Sequence, residues 1–116
     1  MVISSRSIDN GEHGPVTVIS LDGELDYFND EMVLGYFDKV CSEEKIKVAL
    51  DLAGVTYINS IGMGTIKKLF VDLKKNGGRL VVYRPNPQIR KVFEITKINR
   101  FIPIYPSETE ALENLI

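Results

Sequence analysis

The run Ile46-Lys47-Val48-Ala49-Leu50-Asp51-Leu52 alternates without a break, and no other stretch limits the fold so tightly. A strand has a side-chain period of two, so Ile46, Val48, Leu50 and Leu52 share one face while Lys47, Ala49 and Asp51 share the other. A sheet buried on both sides by crossover helices would carry continuous apolar strands instead. The pattern therefore predicts a sheet with one well-covered and one partly covered face, its helices packed mainly on one side.

The flanking segments supply the rest of the sheet. Residues 2–8 and 15–21 read as two strands joined by Asn10-Gly11-Glu12-His13-Gly14, a turn rich in residues that tolerate positive φ. After Asp22-Gly23-Glu24-Leu25-Asp26, a helix capped by Asn29 is expected to bury Met32, Val33, Tyr36, Phe37 and Val40, which recur at three- and four-residue intervals. A second helix is expected from about Ile61 to Lys75, turning Ile66, Leu69, Phe70 and Leu73 inward and stopping at Asn76-Gly77-Gly78. Arg79 to Tyr83 reads as a strand. Asn86-Pro87 opens a short helix with Ile89, Val92 and Phe93 inside. A short strand with Ile102 and Ile104 follows, and Ser107 with Glu110 begins a terminal helix carrying Ala111, Leu112, Leu115 and Ile116. The predicted fold class is α/β: a mixed four- to five-stranded sheet in the order β-β-α-β-α-β-α-β-α, forming a single domain over residues 1–116.

Composition narrows the function. At 116 residues and 44% hydrophobic content the chain can bury one core without disulfides or metals. A net charge of −2, with 14 scattered Lys and Arg, offers no stripe for a phosphate backbone, so nucleic acid is not an expected partner. No apolar run approaches the roughly 20 residues that cross a bilayer, and Met1 to Asn10 lacks a signal-peptide pattern; no membrane association and a cytoplasmic location are expected. The single Cys41 and single His13 cannot make a Cys/His metal site. Cys41 reads as a small core residue and His13 as an exposed loop histidine. No phosphate-cradling loop or nucleophile–histidine pair is present, and neither enzymatic activity nor a cofactor is expected.

One segment stands out. Ala53-Gly54-Val55-Thr56-Tyr57-Ile58-Asn59-Ser60 links the alternating strand to the second helix and delivers a serine to a helix start. Unpaired N–H groups and the positive end of the helix dipole suit that position to an oxyanion, such as a phosphoryl group on Ser60. Gly62 and Gly64 weaken the first turn by roughly 0.8–1.0 kcal/mol each against alanine, a cost that surface access or close packing would explain. By local physics alone a serine here is first an ordinary N-cap. Asp51 at the strand end reads as a brace for the following loop.

The run Asp51-Leu52-Ala53-Gly54-Val55-Thr56-Tyr57-Ile58-Asn59-Ser60-Ile61-Gly62-Met63-Gly64 resembles the signature of STAS domains, specifically the stand-alone anti-sigma factor antagonists of bacteria. There a later Asp-Ser-Ser/Thr-Gly-Leu-Gly carries a phosphorylated serine before a helix. Gly23-Glu24-Leu25-Asp26 and Asn76-Gly77-Gly78-Arg79-Leu80 resemble two further motifs of that family at matching separations. The resemblance implies a non-enzymatic switch that binds an anti-sigma factor serine kinase, frees a sigma factor, and loses affinity when the kinase phosphorylates it, until a cognate phosphatase restores it. Carried over residue by residue, it makes Ser60 the phosphorylation site. Asp26, Asn59, Ile61, Gly62 and Met63 become the partner-binding surface, although Asp26 equally suits a helix start and Met63 a core position. Asn59 stands where the family usually has Asp, and Ile61 replaces a second hydroxyl residue. A monomer or weak dimer is expected. The alternative within the same family is a subunit of an ABC transporter or a scaffold component of a stress-sensing complex, using the same surface. A receiver-type enzyme phosphorylated on Asp51 fits poorly, because two strands come first and no acidic pair follows them.

Overall fold

The computed structural model describes residues 1–11 and 14–115. The expected loop position of His13 and the expected place of Ile116 in the last helix lie outside the described residues. The elements run β1 (Val2–Asp9), β2 (Pro15–Leu25), α1 (Asp30–Val40), β3 (Lys47–Ile58), α2 (Ser60–Lys75), β4 (Arg79–Tyr83), α3 (Pro87–Ile95), a 3₁₀ turn (Ile98–Arg100), β5 (Ile104–Tyr105) and α4 (Glu108–Glu113). This is the predicted order. The sheet is five-stranded, in the spatial order β1-β2-β3-β4-β5, with β1 antiparallel to β2 and the remaining neighbours parallel.

The period of two sorts the sheet into two cores. Ile19, Leu21, Val48, Leu50, Leu52, Leu80 and Val82 point to one side, where Val33 and Phe37 of α1, Ile66, Leu69 and Leu73 of α2, and Ile89 and Phe93 of α3 cover them. The other side is smaller. Val16, Val18, Ala49, Val81 and Tyr83 meet Ala111, Leu112 and Leu115 around α4, with Ile8 of β1 and Tyr105 of β5 at the margin. Three helices on one face and one short helix on the other agree with the partly polar face read from Lys47, Ala49 and Asp51.

Two strands are longer than the alternation implied. β2 continues past residue 21 to Leu25, and β3 continues past Leu52 to Ile58, so Ala53 to Ile58 is strand rather than connection. The cause lies in the register. Ser20 opposes Asp51 but Asp22 opposes Gly54, and Gly23 opposes Val55 but Glu24 opposes Tyr57. Each step gives β3 one extra residue, a bulge that shifts the side-chain phase. Buried positions therefore move from Leu50 and Leu52 to Val55 and Ile58, and the simple alternation disappears from the sequence. Asp51 is not at a strand end as expected. It lies within β3, buried, and braces the first bulge: Ala53 N–H donates to its Oδ1 at 3.0 Å, while Arg84 Nη2 (2.8 Å) and Ser20 Oγ (3.3 Å) donate to its Oδ2.

Apart from the start of α2, helix ends follow their predicted chemistry with one exception. Asn86 Oδ1 accepts from Ile89 N–H at 2.9 Å beside Pro87, and Ser107 Oγ accepts from Glu110 N–H at 3.2 Å. At the end of α2, Gly77 takes φ 74° and Gly78 N–H donates to Leu73 O at 2.8 Å, closing the helix by a left-handed cap. The exception is Asn29. It occupies the cap position of α1 without capping it; its Nδ2 donates instead to Glu24 O at 2.7 Å, tying the helix start to the end of β2. Met32, expected inside, is exposed one turn into α1.

Candidate functional site

The parallel strands β2 and β3 finish side by side, with Leu25 opposite Ile58. Asn59 follows in extended conformation (φ −118°, ψ −172°), and its N–H donates to Leu25 O at 3.4 Å. Its side chain then turns into the helix. Oδ1 accepts from Ile61 N–H and Gly62 N–H, both at 3.1 Å, and its own carbonyl accepts from Met63 N–H at 2.9 Å. Asn59 is thus the N-cap of α2, and Ser60 is its first helical residue rather than the residue before the helix.

Two consequences follow for Ser60. Its side chain is exposed, and among the described residues its hydroxyl has no hydrogen-bond partner, because the capping that a serine so often performs belongs to Asn59. The expected oxyanion cradle is also altered. The N–H groups of Ile61 and Gly62 are already taken by Asn59 Oδ1, which leaves fewer first-turn donors for an oxyanion.

The other proposed contact residues divide by depth. Ile61 is 40% exposed beside Ser60, but Met63 is only 4% exposed and belongs to the main core. Gly62 is buried as well. A Cβ there would lie 2.2 Å from Leu25 O and 2.9 Å from Ile58 Cγ1, so its lack of a side chain serves close packing of α2 on the strand ends. Gly64 has open space where a Cβ would stand. Gly62 and Met63 therefore shape the surface from beneath, and Asn59 and Ile61 line it.

Asp26 lies at the same end of the sheet, one residue after Leu25. Its Oδ1 accepts from Phe28 N–H at 3.0 Å and is 3.5 Å from Asn29 Nδ2, an Asx turn that fixes the loop into α1. That loop lifts two aromatics into solvent: Tyr27 is 68% and Phe28 89% exposed, their rings edge to face at 5.9 Å. A shallow hollow of about 240 Å³ is lined by Tyr27, Phe28, Asp30 and Glu31. With Met32, Tyr57 and Ile61 also exposed, the end of the molecule that carries Ser60 is apolar at its centre. Glu24, Asp26, Asp30 and Glu31 give it an acidic rim. Tyr27, Phe28, Met32 and Tyr57 were not legible as site residues, since Met32 fits the period of the buried helix face. The Tyr27-Phe28 pair in an otherwise polar loop was the available signal.

No group of three or more His, Cys, Asp or Glu residues suited to a metal is found among the described residues. No helix of the described residues is long and apolar enough to cross a membrane. Burial raises the thiol pKa of Cys41, which packs partly against the main core, as its sequence position suggested.

Known proteins resemble this chain along most of its length. An anti-sigma F factor antagonist of Paenibacillus polymyxa is 27% identical over 109 residues, spanning 93% of each chain. An anti-sigma factor antagonist of Mycobacterium paratuberculosis superposes with a TM-score of 0.78 at 23% identity, covering 98% of this chain and 94% of its own. The Bacillus cell fate determinant SpoIIAA in its phosphorylated form superposes with a TM-score of 0.68 at 20% identity, over 97% of this chain and all (100%) of its own. These two likenesses are of fold. Residues 7–111 match the family model described as the STAS domain, and over that span, with the sheet order and helix placement above, the chain belongs to the STAS domain family.

Proposed function

We propose that this protein is an anti-sigma factor antagonist that binds an anti-sigma factor serine kinase, releases a sigma factor from it, and is switched off by phosphorylation of Ser60. The observation that carries this reading is the uncommitted, exposed hydroxyl of Ser60 at the start of α2, left free because Asn59 caps the helix. The curated relatives named as antagonists of anti-sigma factors support the partner class. SpoIIAA, described in both unphosphorylated and phosphorylated forms, supports a fold compatible with the modification.

The site is a surface for a protein, with the chemistry of phosphoryl transfer left to the partner. Exposed Phe28, Ile61 and Met32 supply area that a partner can bury, and the acidic rim favours a partner surface with basic character. That rim also decides how a phosphate would act. The phosphate adds about −1.5 to −2 charges beside an apolar contact, and two of the first-turn N–H groups, those of Ile61 and Gly62, are already held by Asn59. Phosphorylation therefore weakens binding chiefly by placing a hydrated dianion where Ile61 and its neighbours need a dry contact, rather than by meeting an acidic partner. Restoration needs a phosphatase.

The test is incubation with the cognate kinase and ATP, with the phosphate mapped by mass spectrometry. One phosphate on Ser60, lost in Ser60→Ala, is expected, together with retention of the sigma factor–releasing activity by unmodified protein. Phosphate elsewhere, or labelling that persists in Ser60→Ala, would overturn the assignment.

A further inference from the structure

The two edges of the sheet are built differently. β5 contributes only Ile104–Tyr105, and Pro103 and Pro106 on either side lack the N–H that a ladder needs. β1 is 8 residues long and pairs with β2 from Val2 to Asp9, while its other edge is the end of the sheet. It contains neither proline nor lysine. Its one cation, Arg6, donates to Glu108 of α4 and so turns back on its own chain. Val2, an apolar residue on this edge, is 67% exposed. A long, regular edge without the usual blocking devices invites strand addition.

We propose that β1 pairs antiparallel with β1 of a second copy, about a two-fold axis through Ser5. Residues opposite one another in such a ladder share a face, so the axis passes through a residue and not between two. With Ser5 on the axis, Val2 of each copy lies opposite Ile8 of the other, Ile3 opposite Ser7, and Ser4 opposite Arg6. Two apolar cross-strand pairs form on the α4 side, where Ile8 already packs against the smaller core. Moving the axis to Arg6 sets two guanidinium groups against each other. Moving it to Ser4 places Val2 against Arg6 and leaves Ile8 without a partner strand.

A strand of this length spans on the order of 27 Å and covers less than the roughly 1,600 Å² of a standard interface, so the association is weak and concentration-dependent. Ser60 opens α2, which packs over β3 and β4 rather than over β1, and both switch surfaces stay accessible in the pair. Self-association is thus independent of the phosphorylation reading.

Sedimentation velocity on the full chain from about 10 μM to about 1 mM is expected to show a reversible monomer–dimer equilibrium, which Val2→Lys and, separately, Ser4→Lys shift at least roughly tenfold towards monomer. Both positions are exposed, and circular dichroism checks that the variants fold. In a Cys41→Ser background, Ser5→Cys is expected to oxidise to a cross-linked dimer, while Ser7→Cys, opposite Ile3, forms no cross-link under the same conditions. A monomer throughout the range, a dimer indifferent to both lysines, or equal cross-linking by Ser7→Cys would overturn the proposal.

Discussion

Asn59 and Ser60 divide the work that one residue so often does at a helix start. Asn59 Oδ1 accepts from two N–H groups at 3.1 Å, so Asn59→Ala should cost about 1 kcal/mol of stability, read as a lower midpoint in urea. Asn59→Asp keeps the same acceptor and adds a negative charge at the positive end of the α2 dipole. It should stabilise by about 0.3–1 kcal/mol in low salt, with the gain shrinking as salt is added. The two glycines of the first turn make an opposed pair. Gly62→Ala drives a methyl group onto Leu25 O, a backbone atom that yields only if α2 lifts from the strand ends, and a loss of about 1–3 kcal/mol is expected. Gly64→Ala meets open space and gains helix propensity, about 0.8–1.0 kcal/mol. Equal effects at Gly62 and Gly64 would contradict the packing assigned to them.

Between β3 and α2, the strand stops where its neighbour stops and the helix begins at once, which places Ser60 in the open without a loop. If Ser60 has no structural duty, Ser60→Ala and Ser60→Asp should each leave the unfolding free energy within about 0.5 kcal/mol of the parent, while Ser60→Asp weakens partner binding. Phe28→Ala should lower partner affinity by about tenfold or more with unchanged stability, as expected of an exposed aromatic anchor; isothermal titration against the purified partner and a melt separate the two effects. The element order, the caps at Asn86 and Ser107, and the stop at Gly77 could all be read in advance because each depends on local chemistry. Ala53 to Ile58 could not. Its strand character rests on pairing with β2, and two bulges erase the period that announces a strand. The apolar centre of the site was hidden for a related reason: Met32 has helical spacing from the core residues, and only the placement of α1 against the sheet decides that it faces water. Ser60 was legible as a position, and its freedom from capping was not, since adjacent Asn and Ser compete equally for that duty on paper.

At the scale of the molecule, the sheet separates a large core under three helices from a small one under α4, and the small one holds the more titratable interior. Tyr83 is fully buried on that side, and among the described residues its hydroxyl finds no hydrogen-bond partner. Burial, then the negative charge of Asp51, raise its pKa above the ordinary 10.0. Because the folded value exceeds the unfolded one, the native state holds the phenolic proton more tightly. The stability this contributes is complete below about pH 10 and is lost as pH rises through the folded value. The Asp51–Arg84 pair lies beside it, with Arg84 5.3 Å from the Tyr83 ring centre, and the guanidinium stays charged across this range. Tyr83→Phe deletes both the ionisation and the unpaired hydroxyl while keeping the ring against Ala111 and Leu115. The variant should gain about 1 kcal/mol near neutral pH. Between about pH 9 and pH 11 its melting temperature should fall less steeply than the parent's, in a Cys41→Ser background that removes the thiol titration. Parallel falls in the two proteins would mean that the phenol is solvated, and that α4 does not seal the second core.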